Sequence, residues 1–316
     1  MDIKSEVKKM KEAAPYLAAS TDEQRRNALI LIRDTLLKHK EEIFEANEKD
    51  LKAADEAGIS QAVRKRLKFD EHKLIDCVKG IEQLIELPDP LGRVTLAREL
   101  DEGLRLFRIT CPIGVIGVIF EARPDALVQI SSLCIRSGNC AVLKGGRETA
   151  CSNKVLFSLI HEAVIKAGLP AECMLQAEQH NEIDELLECH GLVDLLIPRG
   201  SNAFVQYIMN NTKIPVMGHA DGICHTYVDA ECDIDNAVRI IIDAKTQYTA
   251  ACNATETLLV NRVAAPLLLP KLKGALNEAG VKLRVTGEVK AILDSVPDAA
   301  EVTEIADDDF AHEYLD

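Results

Sequence analysis

The sequence has no excess of positive charge. Its 316 residues carry 37 Lys+Arg against 51 Asp+Glu, a formal net charge of −14 at pH 7. A binder of phosphate backbones needs a basic footprint, so nucleic acid is excluded as a partner class. No apolar run approaches the roughly 18 residues that a membrane span needs, so no membrane partner is expected. The first ten residues, Met1 to Met10, lack an apolar h-region. That predicts no secretory signal and a cytoplasmic chain. None of the ten cysteines belongs to a CxxC pair. They read as free thiols, most of them small buried apolar side chains, and not as a disulfide framework. No Cys/His pair has zinc-ligand spacing with a partner pair, which predicts no metal. G-x-G-x-x-G is missing too. Gly114-Val115-Ile116-Gly117 falls inside an apolar, strand-like run, so nucleotide binding cannot rest on the usual Rossmann glycines.

What is present is globular. A hydrophobic fraction of 47% and a charged fraction of 28% exclude bulk disorder. The length suggests about two domains. The first ninety residues read as helical. Ser20-Thr21-Asp22-Glu23 fits a capping box from Ser20 to Glu23. Behind it Ala28, Leu29, Leu31, Ile32, Leu36, Leu37 and Ile43 recur at helical spacing as far as Gly58. Pro88, Pro90 and Gly92 break that pattern, and residues 93–110 read as a β-hairpin around Asp101-Glu102-Gly103. From Pro112 onward, strands at 113–120, 141–143, 174–177, 192–197 and 215–217 alternate with helices at 126–137, 149–167 and from about 182 and 202. Such alternation predicts a parallel sheet covered on both faces. A second β/α set follows Gly222, with strands at 225–228, 256–260 and 282–285 and helices at 233–243 and 266–279. Gly218 and Gly222 mark the boundary, giving domains at 1–220 and 221–316.

Three turns carry candidate chemistry. Leu143-Lys144-Gly145-Gly146-Arg147 closes a strand with a basic, glycine-rich turn, and ligands of open α/β sheets collect at strand carboxyl ends. Lys144 and Arg147 suit an adenosine 2′-phosphate, which points to NADP; Glu148, next in line, argues the other way. A solvated turn with ordinary surface charges is the competing reading. Ile197-Pro198-Arg199-Gly200-Ser201-Asn202 runs from a strand into a helix. Its N–H groups suit a pyrophosphate, although simple helix capping accounts for Ser201 or Asn202 equally well. In Ala250-Ala251-Cys252-Asn253-Ala254, small neighbours leave space around a thiol. The Cys252 N–H and the Asn253 side chain can face an oxyanion on an attacked carbonyl. Taken locally, a cysteine among alanines is more often a core residue. Cys224-His225 and Cys189-His190 are rival pairs. Neighbours on a strand point to opposite faces, which argues against Cys224 and His225 activating one another. Cys189-His190 reads as a helix C-terminus.

Together these segments resemble the γ-glutamyl phosphate reductases. The resemblance rests on Cys111-Pro112-Ile113-Gly114-Val115-Ile116-Gly117-Val118-Ile119-Phe120-Glu121-Ala122-Arg123-Pro124-Asp125, on Ser137-Gly138-Asn139, and on the turn from Leu143 to Gly146. It continues through Asp194 to Ser201, Gly222-Ile223-Cys224-His225, and Cys252 to Val260. It covers essentially the whole chain. It implies an α/β, aldehyde-dehydrogenase-like fold: two Rossmann-like parallel-sheet domains with helices on both faces, N-terminal helices and a β-hairpin oligomerisation element. The first domain would bind NADP and the second would be catalytic. The implied reaction reduces L-glutamyl 5-phosphate with NADPH to glutamate 5-semialdehyde and phosphate, the second step of proline biosynthesis. Cys252 takes the nucleophile position and forms a thioester, with Asn253 beside it. Lys144, Gly145, Gly146 and Arg147 fall at the adenosine ribose, Pro198, Arg199, Gly200 and Ser201 at the pyrophosphate, and Glu313 at the nicotinamide ribose. Glutamate 5-kinase is the implied protein partner and a homo-oligomer the implied assembly of the full-length protein.

Where aldehyde-oxidising relatives carry a glutamate that activates water, Met217-Gly218-His219-Ala220-Asp221-Gly222 has His219. A reductase gains nothing from hydrolysing its intermediate. His219 is a candidate acid for the leaving group, against a solvated or structural histidine. Arg123 is a candidate for holding the substrate phosphate or α-carboxylate, against an ion pair with Asp125 that fixes the turn. The acidic stretch from Asp307 to Asp316 leads, in the family, into further strands and helices. The resemblance therefore implies that roughly a hundred residues are absent, close to a small domain. Their loss would expose a sheet edge and leave this chain poorly active or aggregation-prone. Two alternatives stand beside the reductase: another thioester-forming aldehyde dehydrogenase, such as a coenzyme-A-linked one, and a non-catalytic assembly module.

Overall fold

The computed structural model describes residues 2–59, 61–179, 181–200, 202–218, 222–249, 251–296 and 302–314. The chain divides into two compact units, Met1–His219 and Ala220–Asp316.

Unit 1 begins with five helices: α1 (Ile3–Ala18), α2 (Asp22–Lys38), α3 (Lys40–Glu56), α4 (Gln61–Leu67) and α5 (Glu71–Glu86). In α1, Ile3, Val7, Met10, Ala14 and Leu17 recur every three or four residues and are buried, so one stripe faces the core. The capping box of α2 sits one residue later than the sequence suggests. Thr21 caps the Gln24 N–H while the Gln24 side chain reaches back to the Thr21 N–H. Ser20 is occupied elsewhere, its hydroxyl donating to the Leu17 carbonyl that ends α1. The long apolar pattern up to Gly58 is two helices, divided at His39, whose backbone (φ −105°, ψ 23°) leaves the helical region.

The hairpin follows: among the described residues β1 (Val94–Asp101) and β2 (Leu104–Ile109) pair only with each other. Every one of their residues is exposed, and Gly103 supplies the positive φ of the turn. Next come β3 (Val115–Ile119), α6 (Pro124–Arg136), β4 (Cys140–Lys144), α7 (Ala150–Lys166), β5 (Met174–Ala177), α8 (Asn181–Leu187), β6 (Leu195–Pro198) and α9 (Asn202–Asn210). The four strands form one parallel sheet in the order β5-β4-β3-β6. All residues of β3 and β4 are buried, which is why both read as unbroken apolar runs. Helices α2 and α3 pack on α7, and α5 packs on α6, while α1 packs on β3, β4, β5 and α8. The strand expected at 215–217 is an isolated bridge between Val216 and Leu196. The strand expected at 192–197 starts late, because Leu192 and Val193 turn back onto the Cys189 carbonyl.

Unit 2 holds β7 (Cys224–Val228), α10 (Ile234–Thr246), β8 (Thr255–Val260), α11 (Ala265–Glu278), β9 (Leu283–Val285), α12 (Gly287–Leu293) and β10 (Val302–Glu304). Strands β7 and β8 are parallel, as are β9 and β10. Asp233 caps α10 by accepting the Asn236 N–H. Val228, Ile241, Leu268, Leu272 and Leu276 form one apolar cluster, and Leu269, Val285 and Leu293 another.

Candidate active site

In unit 1 the strand order places β6 on one side of β3 and β4 with β5 on the other. A ligand crevice is expected at such a switch point, beyond the strand carboxyl ends. Three turns meet there: residues 120–125 after β3, 145–149 after β4 and 199–200 after β6. A Cβ on Gly200 would lie 3.1 Å from Glu121 Oε1, so the first and third turns are in close approach. Arg199 donates its N–H to the Ile119 carbonyl, carrying the β3–β6 ladder to the edge of the crevice.

Lys144 ends β4 with 4% of its surface exposed, and its ammonium donates to the Gly145 carbonyl at 2.7 Å. Burial pushes its pKa below the ordinary lysine value, and the neighbouring Arg147 adds to the push. Arg147 is exposed and opens a single 3₁₀ turn, Arg147–Thr149. Gly145 and Gly146 are glycines for a steric reason. A Cβ on Gly145 would sit 2.1 Å from Asn153 Nδ2, and one on Gly146 would sit 2.1 Å from Glu148 Oε1. The Asn153 carbonyl oxygen is buried with no hydrogen-bond partner. The pairing of one buried cation with one exposed cation at a strand carboxyl end fits a phosphorylated ribose.

Arg123 is exposed, and its guanidinium lies 3.1 Å from Asp125 Oδ2. Asp125 is buried, its second oxygen has no partner, and Lys73 approaches it at 3.3 Å. The ion pair weighed for this turn is therefore formed. It leaves the guanidinium at the surface with one edge engaged.

All the cysteines of unit 1 except the exposed Cys111 are suppressed as nucleophiles, and in unit 2 Cys224 and Cys232 are half-buried. Burial pushes Cys77, Cys134 and Cys140 up to about 12 and raises Cys173 and Cys189 as well. Burial and the Asp50 charge raise Cys151. A protonated thiol is a poor nucleophile. Cys252 is exposed. It occupies, with Asn253, the centre of a turn closed by the Ala254 N–H donating to the Ala251 carbonyl. A half-buried ion pair between Lys245 and Glu256, at 3.2 Å, braces α10 to β8 on either side of this loop. Gly222 approaches so closely that a Cβ would fall 2.0 Å from the Cys252 carbonyl oxygen and 3.2 Å from Glu313 Oε1. That Glu313 oxygen is buried without a partner, and a sugar hydroxyl is the kind of donor it lacks. Cys224 Sγ points to the Cys252 carbonyl at 3.5 Å, while His225 turns back to the Ile223 carbonyl. Gly222 and Cys224, which the sequence offers as a boundary glycine and as half of a rival Cys/His pair, are brought to the Cys252 loop by the pairing of β7 with β8. Ser201 and His219 lie outside the described residues. Among the described residues no cluster of three or more His, Cys, Asp or Glu could hold a metal ion, and no helix is long and apolar enough to cross a membrane.

The aldehyde dehydrogenase family model matches residues 1–291, and the chain belongs to that family, an oxidoreductase family that uses a nicotinamide cofactor. Within it, the near relatives are γ-glutamyl phosphate reductases. The enzyme of that name from Acetivibrio thermocellus is 49% identical over 316 residues, all of this chain and 72% of its own length. γ-Glutamyl phosphate reductase 1 of Synechocystis sp. is 50% identical over 287 residues, 91% of this chain and 66% of its own. The crystal structure of the Thermotoga maritima γ-glutamyl phosphate reductase superposes with a TM-score of 0.93 at 32% identity. It covers all of this chain and 75% of that one. An acetylating aldehyde dehydrogenase from Geobacillus thermoglucosidasius shares the fold, with a TM-score of 0.62 at 17% identity over 99% of this chain and 73% of that one.

Proposed function

We propose that the protein reduces L-glutamyl 5-phosphate to glutamate 5-semialdehyde and phosphate with NADPH, as the second step of proline biosynthesis in the cytoplasm. The observation that carries this reading is the Gly222–Cys252–Glu313 constellation, in which the backbone of an exposed cysteine and an unpartnered buried carboxylate oxygen both close on Gly222, in a chain whose relatives are γ-glutamyl phosphate reductases. An acyl phosphate is an activated carboxyl, so a thiolate can displace phosphate without further activation. The Cys252 sulfur attacks the acyl carbon, the C–O bond breaks, and phosphate leaves with the electron pair. The product is a thioester on Cys252. The Cys252 N–H and the Asn253 amide steady the oxyanion that forms at each attack on this carbon. NADPH, when bound, supplies the hydride that reduces the thioester. Expulsion of the Cys252 thiolate then frees the aldehyde.

In this reading residues 1–220 hold the cofactor and residues 221–316 supply the nucleophile. Lys144 and Arg147 take the 2′-phosphate with Gly145 and Gly146 between them in the same turn, Pro198 to Ser201 line the pyrophosphate, and Glu313 takes the nicotinamide ribose. Arg123 takes the substrate phosphate. The exposed apolar residues of the hairpin, Val94, Leu96, Leu106, Phe107 and Ile109 among them, suit burial against a second copy, so a homo-oligomer is part of the proposal. Glutamate 5-kinase, which makes an unstable acyl phosphate, is the proposed partner.

The test runs the reaction backward: phosphate-dependent NADP reduction with glutamate 5-semialdehyde. Cys252→Ala is expected to lower kcat/KM by at least about 10⁴-fold with an unchanged melting temperature. Turnover that survives Cys252→Ala would sink the thioester. Turnover that needs coenzyme A in place of phosphate would move the protein to the coenzyme-A-linked class.

A further inference from the structure

Glu148 sits directly after the Lys144–Arg147 turn, and its carboxylate folds back over Gly146 towards the turn after β3. Oε1 accepts the backbone N–H of Ala122 at 2.6 Å. Ala122 lies 26 residues earlier, in the turn after β3, immediately before Arg123. Its φ is +48°, the one positive value at a non-glycine residue among the described residues. A side chain disfavours that left-handed conformation, so something must hold it. A carboxylate accepting a backbone N–H makes a charge-assisted bond, stronger than a neutral one. The path of the Glu148 side chain crosses the α-carbon of Gly146, where a Cβ would lie 2.1 Å from Oε1 and 2.5 Å from Oε2. The absent side chain at Gly146 therefore also makes room for this bond. Glu121, the residue before Ala122, feels the same carboxylate: burial raises its pKa, and the Glu148 charge raises it further.

Arg123 is thus fixed from two sides. Asp125 engages one edge of its guanidinium, and Glu148 holds the N–H of Ala122, the residue before it. We propose that Glu148 is a positioning residue, which holds the Ala122 turn in its left-handed form and so aims Arg123 at the phosphate of the substrate. The proposal rests on the function proposed above. It gives Glu148 a role that is neither cofactor contact nor proton transfer. It also answers why an acidic residue follows a turn suited to a phosphorylated ribose: the carboxylate is committed to Ala122.

The reverse reaction reads this directly, because phosphate is then a varied substrate. Glu148→Gln keeps the shape and removes the charge. It should raise the KM for phosphate about tenfold, leave the KM for NADP within about twofold, and leave the melting temperature unchanged. In an Arg123→Ala background the same substitution should change the KM for phosphate by less than about twofold, since a residue that acts through Arg123 has nothing left to act on. Ala122→Gly, which makes the left-handed turn permissible, should recover part of the loss in Glu148→Gln. Equal effects of Glu148→Gln in both backgrounds, or a rise in the KM for NADP alone, would overturn the proposal. An unmodified enzyme that shows no phosphate-dependent NADP reduction would overturn the proposed function instead. In that event amide hydrogen exchange across 120–124 still decides the clamp: it should quicken in Glu148→Ala, and unchanged exchange there sinks it.

Discussion

The two ends of the unit 1 sheet use the same residue types to opposite purposes. At the amino ends of the strands, charges and glycines are mutually satisfied. Asp194 accepts the Lys11 ammonium at 2.6 and 2.7 Å and the Val115 N–H at 2.8 Å. Asn139 accepts the N–H groups of Ile113 and Gly114 at 2.7 and 2.9 Å. Gly114 is glycine so that Asp194 can close on the backbone. At the carboxyl ends the lysine is buried and pushed down in pKa, an amide oxygen of Asn153 has no partner, and Ala122 is strained. The strained Ala122 backbone and the unpartnered oxygens of Asp125 and Asn153 lie where a ligand is to be received, and the Asp194 and Asn139 bonds lie where the fold is to be held. The first end should therefore answer to stability measurements and the second to binding.

The largest effect should come from the amino end. Gly114→Ala places a Cβ 2.1 Å from Asp194 Oδ2 at a φ of +127°. The positive φ alone costs about 1–3 kcal/mol for a side-chain residue. Separating Asp194 from the buried Val115 N–H adds about 1–3 kcal/mol more. Denaturant unfolding should show a loss of about 3 kcal/mol or more, while the NADP affinity of the remaining folded protein is unchanged. A stable Gly114→Ala protein with weakened NADP binding would erase the distinction between the two ends.

Lys144→Met tests the other end with the opposite expectation. Burial disfavours the ammonium in the folded state. That penalty is present below the lowered folded pKa and disappears as the pH rises past the unfolded lysine value, about 10.4. Removing the charge should therefore leave the melting temperature at neutral pH unchanged or slightly higher. NADP binding, measured by fluorescence titration, should weaken by about ten- to a hundredfold, the loss of one charge-assisted bond to phosphate. A drop in melting temperature with affinity intact would make Lys144 a structural residue.

How much of this was legible in the sequence follows from the range of each interaction. Strands β3 and β4 are buried on both faces, so they announced themselves as continuous apolar runs, and Gly138 and Gly168 ended helices as local chemistry dictates. The capping box falls one residue later because Ser20 and Thr21 are both good N-caps, and only the bond from the Ser20 hydroxyl to the Leu17 carbonyl ties Ser20 to the preceding helix. Lys144 and Arg147 were visible as a basic turn, but the burial of one and exposure of the other depend on packing. The Glu148–Ala122 bond, the Gly222–Cys252 approach and the unpartnered Glu313 oxygen join segments 26 to 91 residues apart. No local pattern encodes them; the family resemblance reaches Cys252, Glu313 and the Gly222 segment, but the contacts of Glu148 and Gly222 emerge only from the folded chain.

The smallest effect is the acid limb of the amino-end network. Arg136, the last residue of α6 before β4, is buried and donates to the Leu84 and Leu87 carbonyls and to Asp22. Partial burial pushes the Asp22 carboxyl up, but the Arg136 bond and the charges of Arg136, Arg26 and Arg25 outweigh it and leave its pKa lowered. An acid with a lowered folded pKa binds its proton more weakly when folded. Its contribution is complete above the unfolded value, about 3.9, and is lost as the pH falls through the folded value. After solvent screening this is about 1 kcal/mol. The stability difference between the unmodified protein and Asp22→Asn should thus be constant above about pH 5 and shrink below about pH 4. NADP affinity at neutral pH should be the same in both. A difference that persists unchanged into acid would mean that Asp22 holds Arg136 by shape and not by charge, and the amino end would then be a packed structure in which the ion pair is incidental.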